Sequence, residues 1–203
     1  MPTRRAIALA GHTGDAAMAR SALGSEVAAV RATAFGALAR LGELSDDELA
    51  AGLGDADASV RRRAAELAAH HPGVDLARAL ADPDPRVAEA AAWACGERES
   101  LTDGVFELLV GLAGGAGTGD EPLTRESAIA ALGALGDDRG LDAIMAGTID
   151  KPAIRRRAVL ALAPFLDADH ARAAEVAAAL DRALADRDWQ VRQAAEDLVG
   201  APE

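Results

Sequence analysis

One pattern recurs along the whole chain and constrains the fold more than any other feature. A β-branched residue opens a stretch in which the fourth, seventh and eighth following positions are apolar or small. These offsets place the apolar side chains on one stripe of an α-helix. Seven such anchor residues lie 27 to 37 residues apart, namely Thr3, Val30, Val60, Val87, Thr124, Ile154 and Val191. This spacing predicts an array of repeated helical units.

A second helix is predicted between each pair of anchors. We call the helices that carry the anchors B helices and the intervening ones A helices. The predicted A helices cover residues 15–23, 46–53, 74–81, 106–112, 141–149 and 169–185. Thr3 opens a B helix that no A helix precedes. The expected fold is therefore all-α, with about six helix pairs plus an N-terminal half-repeat cap, in a single domain of residues 1–203.

Local signals mark helix ends and an interruption of the array. Asp84-Pro85 is typical of a helix start, because aspartate caps well and the first helical position needs no N–H. Ser45 is expected to open its helix with a capping box. Gly96 is expected to end its helix in the left-handed conformation. Residues 114–122 contain four glycines, which predict an exposed and mobile loop.

Composition and charge restrict the class of protein. Half of the residues are hydrophobic but only 2% are aromatic, which favours helices packed closely through small side chains. The formal net charge of −12 opposes nonspecific nucleic-acid binding, since phosphate backbones carry the same sign. Cys95 is the single cysteine and is expected to be a small buried residue. Residues 6–10 are too short for a signal-peptide core, and no segment has the length of a membrane span, so a cytoplasmic protein is expected.

Motifs at the turns before the B helices indicate the kind of repeat. They are Asp57-Ala-Ser-Val60-Arg61, Asp84-Pro-Arg-Val87 and Asp186-Arg-Asp-Trp-Gln-Val191-Arg192. These motifs resemble HEAT-like repeats, the short bacterial kind also found in phycobilin lyases, over essentially the whole chain. The resemblance implies a right-handed α-α superhelix whose B helices line the concave face. The sequence departs from it at Thr3 and Thr124, which replace an aliphatic anchor, and at Ala88, where other repeats have arginine.

The resemblance also implies a structural role for the arginines that directly follow an anchor. In HEAT-like repeats such an arginine bonds to aspartates in the repeat turns and forms a ladder between neighbours. The ladder candidates are Arg31, Arg61, Arg125, Arg155 and Arg192. Two pairs of aspartates are the alternatives for their partners: Asp55 or Asp57, and Asp186 or Asp188. Arginine suits this role because it binds a carboxylate through two parallel hydrogen bonds.

Positions two, five, six and nine after an anchor are predicted to face away from the core, on the concave side. The candidate partner-binding residues there are Phe35, Arg62, Trp93, Ile129, Arg156 and Leu160. An exposed tryptophan among aliphatic and arginine side chains is typical of a protein-binding hot spot. The alternative is that these residues fill space between tightly packed repeats.

The function expected from these features is that of a noncatalytic scaffold or adaptor for a protein or peptide. The sequence contains no Ser-His-Asp order, phosphate-binding loop or metal-ligand spacing, so no cofactor or metal is expected. An alternative is a prosthetic-group lyase or chaperone-like role, by analogy with phycobilin lyases, with Cys95 as the only thiol. Nucleic-acid binding is a less favoured third possibility, since it requires the arginines to converge into one patch.

Overall fold

The protein is built from α-helices that alternate between two rows. The computed structural model describes residues 2–200, which contain thirteen α-helices and no β-strand. The B helices are α1 (Arg4–Thr13), α3 (Ala28–Leu41), α5 (Ala58–Leu67), α7 (Pro85–Gly96), α9 (Pro122–Leu135), α11 (Pro152–Leu160) and α13 (Trp189–Val199). The A helices are α2 (Ala16–Ser21), α4 (Asp46–Leu53), α6 (Ala77–Leu80), α8 (Asp103–Ala113), α10 (Leu141–Gly147) and α12 (Ala173–Leu184). The predicted helical solenoid of six pairs plus a half-repeat is confirmed.

Two A helices begin later than the pattern predicts. α6 has four residues and begins at Ala77, whose main-chain N–H donates to the Asp75 side chain at 2.9 Å. Val74, before this start, is nevertheless buried in the core. α12 begins at residue 173, after a turn in which the His170 ring accepts from the Arg172 main-chain N–H. The apolar pattern around Val74 therefore marked a buried residue correctly but placed it inside a helix.

The helix starts follow the local signals, whereas one predicted helix end does not. Ser45 opens α4 with the expected capping box. Asp84 caps α7 by accepting a hydrogen bond from the Arg86 main-chain N–H at 3.0 Å. The expectation of a left-handed Gly96 is wrong, because Gly96 lies within α7. A Cβ atom at this position would lie 2.9 Å from Cα of Ala131 in α9, so the glycine allows close packing of two B helices.

Successive B helices pack along one another from α1 to α13. The A helices pack chiefly on neighbouring B helices and contact one another less extensively. Because the B row is the more closely packed, it forms the inner side of the solenoid. Glycine recurs at these junctions: a Cβ atom on Gly133 of α9 would lie 2.7 Å from Cα of Ala161.

A continuous apolar core lies between the two rows. Most of the anchors are buried in it: Val30, Val60, Val87, Thr124, Ile154 and Val191. The Thr124 hydroxyl donates to the Pro85 carbonyl at 3.0 Å, which satisfies a polar group that is only 1% exposed. Thr3 is exposed and caps α1 by accepting from the Ala6 main-chain N–H. The half-repeat therefore begins with a cap and not with a buried anchor.

The glycine-rich segment forms a connection between α8 and α9. Residues Gly117–Asp120 make one 3₁₀ turn that packs on both helices. Gly119 is buried against the main chain of Leu112, while most of residues 114–122 are exposed. None of the helices in the described part of the chain combines the length and the apolar character that crossing a bilayer requires.

Candidate interaction surface

Three arginines connect consecutive repeats through the same set of contacts. Each guanidinium binds both carboxylate oxygens of one aspartate in the following repeat turn, at 2.6 to 2.9 Å. The pairs are Arg31–Asp55, Arg61–Asp82 and Arg155–Asp186. Nη1 of each arginine also donates to a main-chain carbonyl in the turn before its own helix, at 2.6 to 3.0 Å. These contacts tie each B helix to the turns on both sides of it.

The aspartates at these turns are arranged as Asp-x-Asp, and each member of the pair has a separate task. In the turn before α7, Asp82 binds the arginine of the preceding repeat and also accepts from the Asp84 main-chain N–H at 2.9 Å. Asp84 caps the following helix. The same division holds at the other two turns, where Asp55 and Asp186 bind the arginine and the second aspartate caps the helix. The Asp-x-Asp spacing is the sequence signal that identifies Asp82 as a ladder residue.

The ion pairs perturb the carboxylates that they contain. The hydrogen bond from Arg31 holds the pKa of the Asp55 carboxyl below its usual range. The hydrogen bond from Arg155 lowers the pKa of the Asp186 carboxyl in the same way. Asp55 and Asp186 are therefore held in the charged form beside their arginines.

The other two ladder candidates make related but incomplete sets of contacts. Arg125 donates to the Ala113 carbonyl at 2.8 Å and pairs with Asp150 at 2.8 Å. Arg192 donates to the Asp186 carbonyl at 2.7 Å, and no carboxylate within residues 2–200 pairs with it. At Ala88 the ladder is interrupted, and the junction of α7 with α9 relies on close helix packing and the hydrogen bond from Thr124.

Two of the candidate partner-binding residues are buried, so their predicted exposure is wrong. Phe35 is 4% exposed and Ile129 is fully buried. The fifth position after an anchor lies about 140° around the helix from it, which directs the side chain towards the neighbouring A helix. Glycine makes room there: a Cβ atom on Gly52 of α4 would lie 2.5 Å from Cζ of Phe35, and one on Gly147 of α10 would lie 3.1 Å from Cδ1 of Ile129. Both residues fill space between the rows, as the alternative interpretation expected.

The remaining candidates reach the surface of the B row to different degrees. Trp93 is 44% exposed, and Arg156 is exposed. Arg62 is also exposed and pairs with Glu66 on its own helix at 2.8 Å. Leu160 is half-buried and packs against the core. The structure thus keeps Trp93 as the large apolar side chain near the middle of this surface, with the arginines on either side along the array.

Trp93 lies between two clefts of about 310 Å³ each and lines both of them. The cleft towards α9 and α11 has Glu97 and Glu126 in its lining. The cleft towards α5 has Arg62 and Arg86, and Glu89 lines both clefts. The surroundings of the tryptophan are therefore mixed in charge, with more carboxylates on the C-terminal side.

Cys95 lies on the opposite, buried side of α7. Its side chain is fully buried, and burial raises the pKa of the thiol to about 12. A protonated thiol without access to the surface is a poor nucleophile. The structure therefore offers no reactive thiol for the lyase alternative, because Cys95 is the single cysteine of the chain.

Comparison with known proteins agrees with this architecture. Residues 74–163, which include α6 to α11, match the family model described as HEAT repeats. HEAT-like repeats are therefore shown over residues 74–163, a little under half of the chain. HEAT repeats generally mediate protein–protein interactions and are typically noncatalytic.

Among solved structures, the chain is similar to an engineered protein from the Northeast Structural Genomics Consortium, with 20% sequence identity and a TM-score of 0.45. The similarity covers 98% of this chain and 83% of the engineered one. No curated protein matches the sequence.

Proposed function

We propose that this HEAT-like protein is a noncatalytic adaptor that binds a protein or peptide segment on its B-helix face. The observation that carries the proposal is the exposure of Trp93 between two clefts. A tryptophan contributes a large apolar area when a partner covers it, and such residues dominate the energy of many interfaces. Exposing it to water on a monomer gives no comparable stabilisation.

The side chains around Trp93 suit a partner-binding surface. Arg62, Glu89 and Glu126 lie in the linings of the two clefts, so the apolar centre is bordered by charged groups of both signs. An apolar centre with a polar rim is the usual composition of a protein–protein interface. The rim charges contribute to partner selection and to the association rate. Arg156, on a later B helix, is expected to extend the contact along the array.

The test requires a partner whose contact with the B-helix face is demonstrated. A photo-crosslinking residue placed at Glu89 would capture the partner, and the affinity of the purified partner would be measured by titration calorimetry. We expect Trp93→Ala to weaken binding at least tenfold. Arg156→Glu should weaken it by a smaller factor.

Trp189→Ala is the matched control, since Trp189 is 65% exposed and lines neither cleft. This variant should bind within twofold of the wild type. A crosslinked partner that binds Trp93→Ala as tightly as the wild type would exclude Trp93 as the centre of the interface.

A further inference from the structure

A third cavity, of about 440 Å³, lies at the N-terminal end of the B-helix face, where α1, α3 and α5 meet. Small residues form much of its lining, including Ala8, Ala32 and Gly36. The charged groups in the lining are Arg4, Arg40, Arg62, Arg63 and Glu66. Four cations therefore face one carboxylate, in a chain whose formal net charge is −12. We call this cavity the arginine pocket.

Most of the hydrogen-bonding capacity of these arginines is unused within the described chain. Arg40 has no hydrogen-bond or ion-pair partner among residues 2–200. Arg4 donates only through Nε, to the Thr33 hydroxyl at 3.3 Å. Arg62 and Arg63 each donate once, both to Glu66, at 2.8 and 2.9 Å. Because a guanidinium carries five N–H donors, the pocket presents many charged donors to an incoming group.

Small residues leave room for the arginine side chains to lie close together in the pocket. A Cβ atom on Gly36 would lie 2.9 Å from Nη2 of Arg63, so a larger residue there would displace that guanidinium. A Cβ atom on Gly11 would likewise lie 3.2 Å from Nη1 of Arg40. Gathering like charges is unfavourable unless an anion compensates them. Two glycines thus leave room for these guanidinium groups, and an anionic group in the pocket would offset their mutual repulsion.

We infer that the arginine pocket binds the carboxylate side chains of an acidic stretch in the partner segment. The inference rests on the proposed binding of a segment on the B-helix face and specifies the chemistry of one end of that segment. Arginine binds carboxylates through paired hydrogen bonds, and several such side chains fit a cavity of this volume. A long polyphosphate chain is disfavoured, because the cleft on the far side of Trp93 has Glu89, Glu97 and Glu126 in its lining against one cation, Arg157. The partner segment should therefore change from acidic to neutral or basic beyond Trp93, where it reaches this cleft.

The experiment uses the full chain and fluorescein-labelled hexapeptides of glutamate or glutamine, with binding measured by fluorescence anisotropy at low ionic strength. We expect the glutamate peptide to bind at least tenfold more tightly than the glutamine peptide, and to weaken as salt is added. The double variant Arg4→Gln, Arg40→Gln should lose at least tenfold in affinity. Arg182→Gln, an exposed arginine on α12 outside the pocket, should remain within twofold of the wild type. Circular dichroism would verify that both variants are folded.

Equal binding of the two peptides, or equal binding by the double variant, would overturn the inference. Displacement of the glutamate peptide by inorganic phosphate, but not by acetate at equal ionic strength, would overturn the assignment to carboxylates. Trp93→Ala separates this inference from the proposed function, because it should leave binding of the glutamate peptide unchanged. If the peptide does not bind while a partner still depends on Trp93, only the inference about the arginine pocket fails.

Discussion

Replacing Arg61 with alanine should destabilise the protein by several kcal/mol, because the ladder aspartate would lose its counterion. Arg61 makes two hydrogen bonds to Asp82, and the Asp82 side chain is only 5% exposed. Removing one partner of a buried ion pair typically costs about 3–5 kcal/mol. Asp82 retains its hydrogen bond from the Asp84 main chain, and the Arg61 side chain is 14% exposed, so we expect a value of about 3 kcal/mol at the lower end of that range.

Thermal unfolding followed by circular dichroism at the helical band would measure the effect. In a chain of this length each kcal/mol shifts the Tm by about 2–4 °C, so Arg61→Ala should lower the Tm by about 6–12 °C. Arg62→Ala is the matched control, since it removes the same side chain from the next position of the same helix. The Arg62 side chain is 52% exposed and its pair with Glu66 should contribute less than about 1 kcal/mol.

A double-mutant cycle tests whether the pair itself is responsible. Arg61→Ala and Asp82→Ala should be non-additive, with a coupling energy of about 2–3 kcal/mol. The ladder would be refuted as a stabilising element if Arg61→Ala lowered the Tm no more than Arg62→Ala, or if the two ladder substitutions were additive.

Three other outcomes follow from the same structure. Phe35→Ala should cost about 3–5 kcal/mol in urea denaturation, as expected for a buried aromatic, and a loss below 1 kcal/mol would contradict its burial. The folded pKa of Asp55 is lowered, so its ion pair stabilises the protein above about pH 4 and this contribution is lost as the pH falls through the folded pKa. The stability difference between the wild type and Asp55→Asn should therefore be smaller at pH 3 than at pH 7, and a constant difference would argue against it. Gly133→Ala should destabilise by about 1–3 kcal/mol because of the close helix contact, whereas Gly104→Ala, with open space around it, should be neutral or stabilising by up to about 1 kcal/mol in the same assay.

The proposed binding surface and the ladder use different positions of the B helices. The position directly after the anchor holds neighbouring repeats together where it carries Arg31, Arg61 or Arg155, each bound to an aspartate. The second and sixth positions, represented by Arg62 and Trp93, are left to face the inner side of the array. A change on that side should therefore alter binding with little effect on stability, and a change in the ladder should do the reverse.

The sequence by itself determined the helical repeat, the position of the B helices and most of the helix starts. These features depend on spacings within about ten residues, such as the apolar offsets after Val60 or the cap formed by Asp84 and Pro85. The resemblance of the turn motifs to HEAT-like repeats added the ladder arginines. Local spacing was sufficient for the helices and their starts because a helix forms and is capped through contacts along its own chain.

Only the tertiary structure decided which side chains are buried by the second row and which meet across helices. Periodicity gives angles within one helix, but it does not give the direction from which an A helix approaches, so Phe35 and Ile129 were assigned to the wrong side. The choice of Asp82 for Arg61, and the packing role of Gly96, depend on distances between separate repeats. The side chains of the arginine pocket come from three helices, α1, α3 and α5. They lie close together because these B helices pack against one another, and a local sequence pattern does not predict that packing.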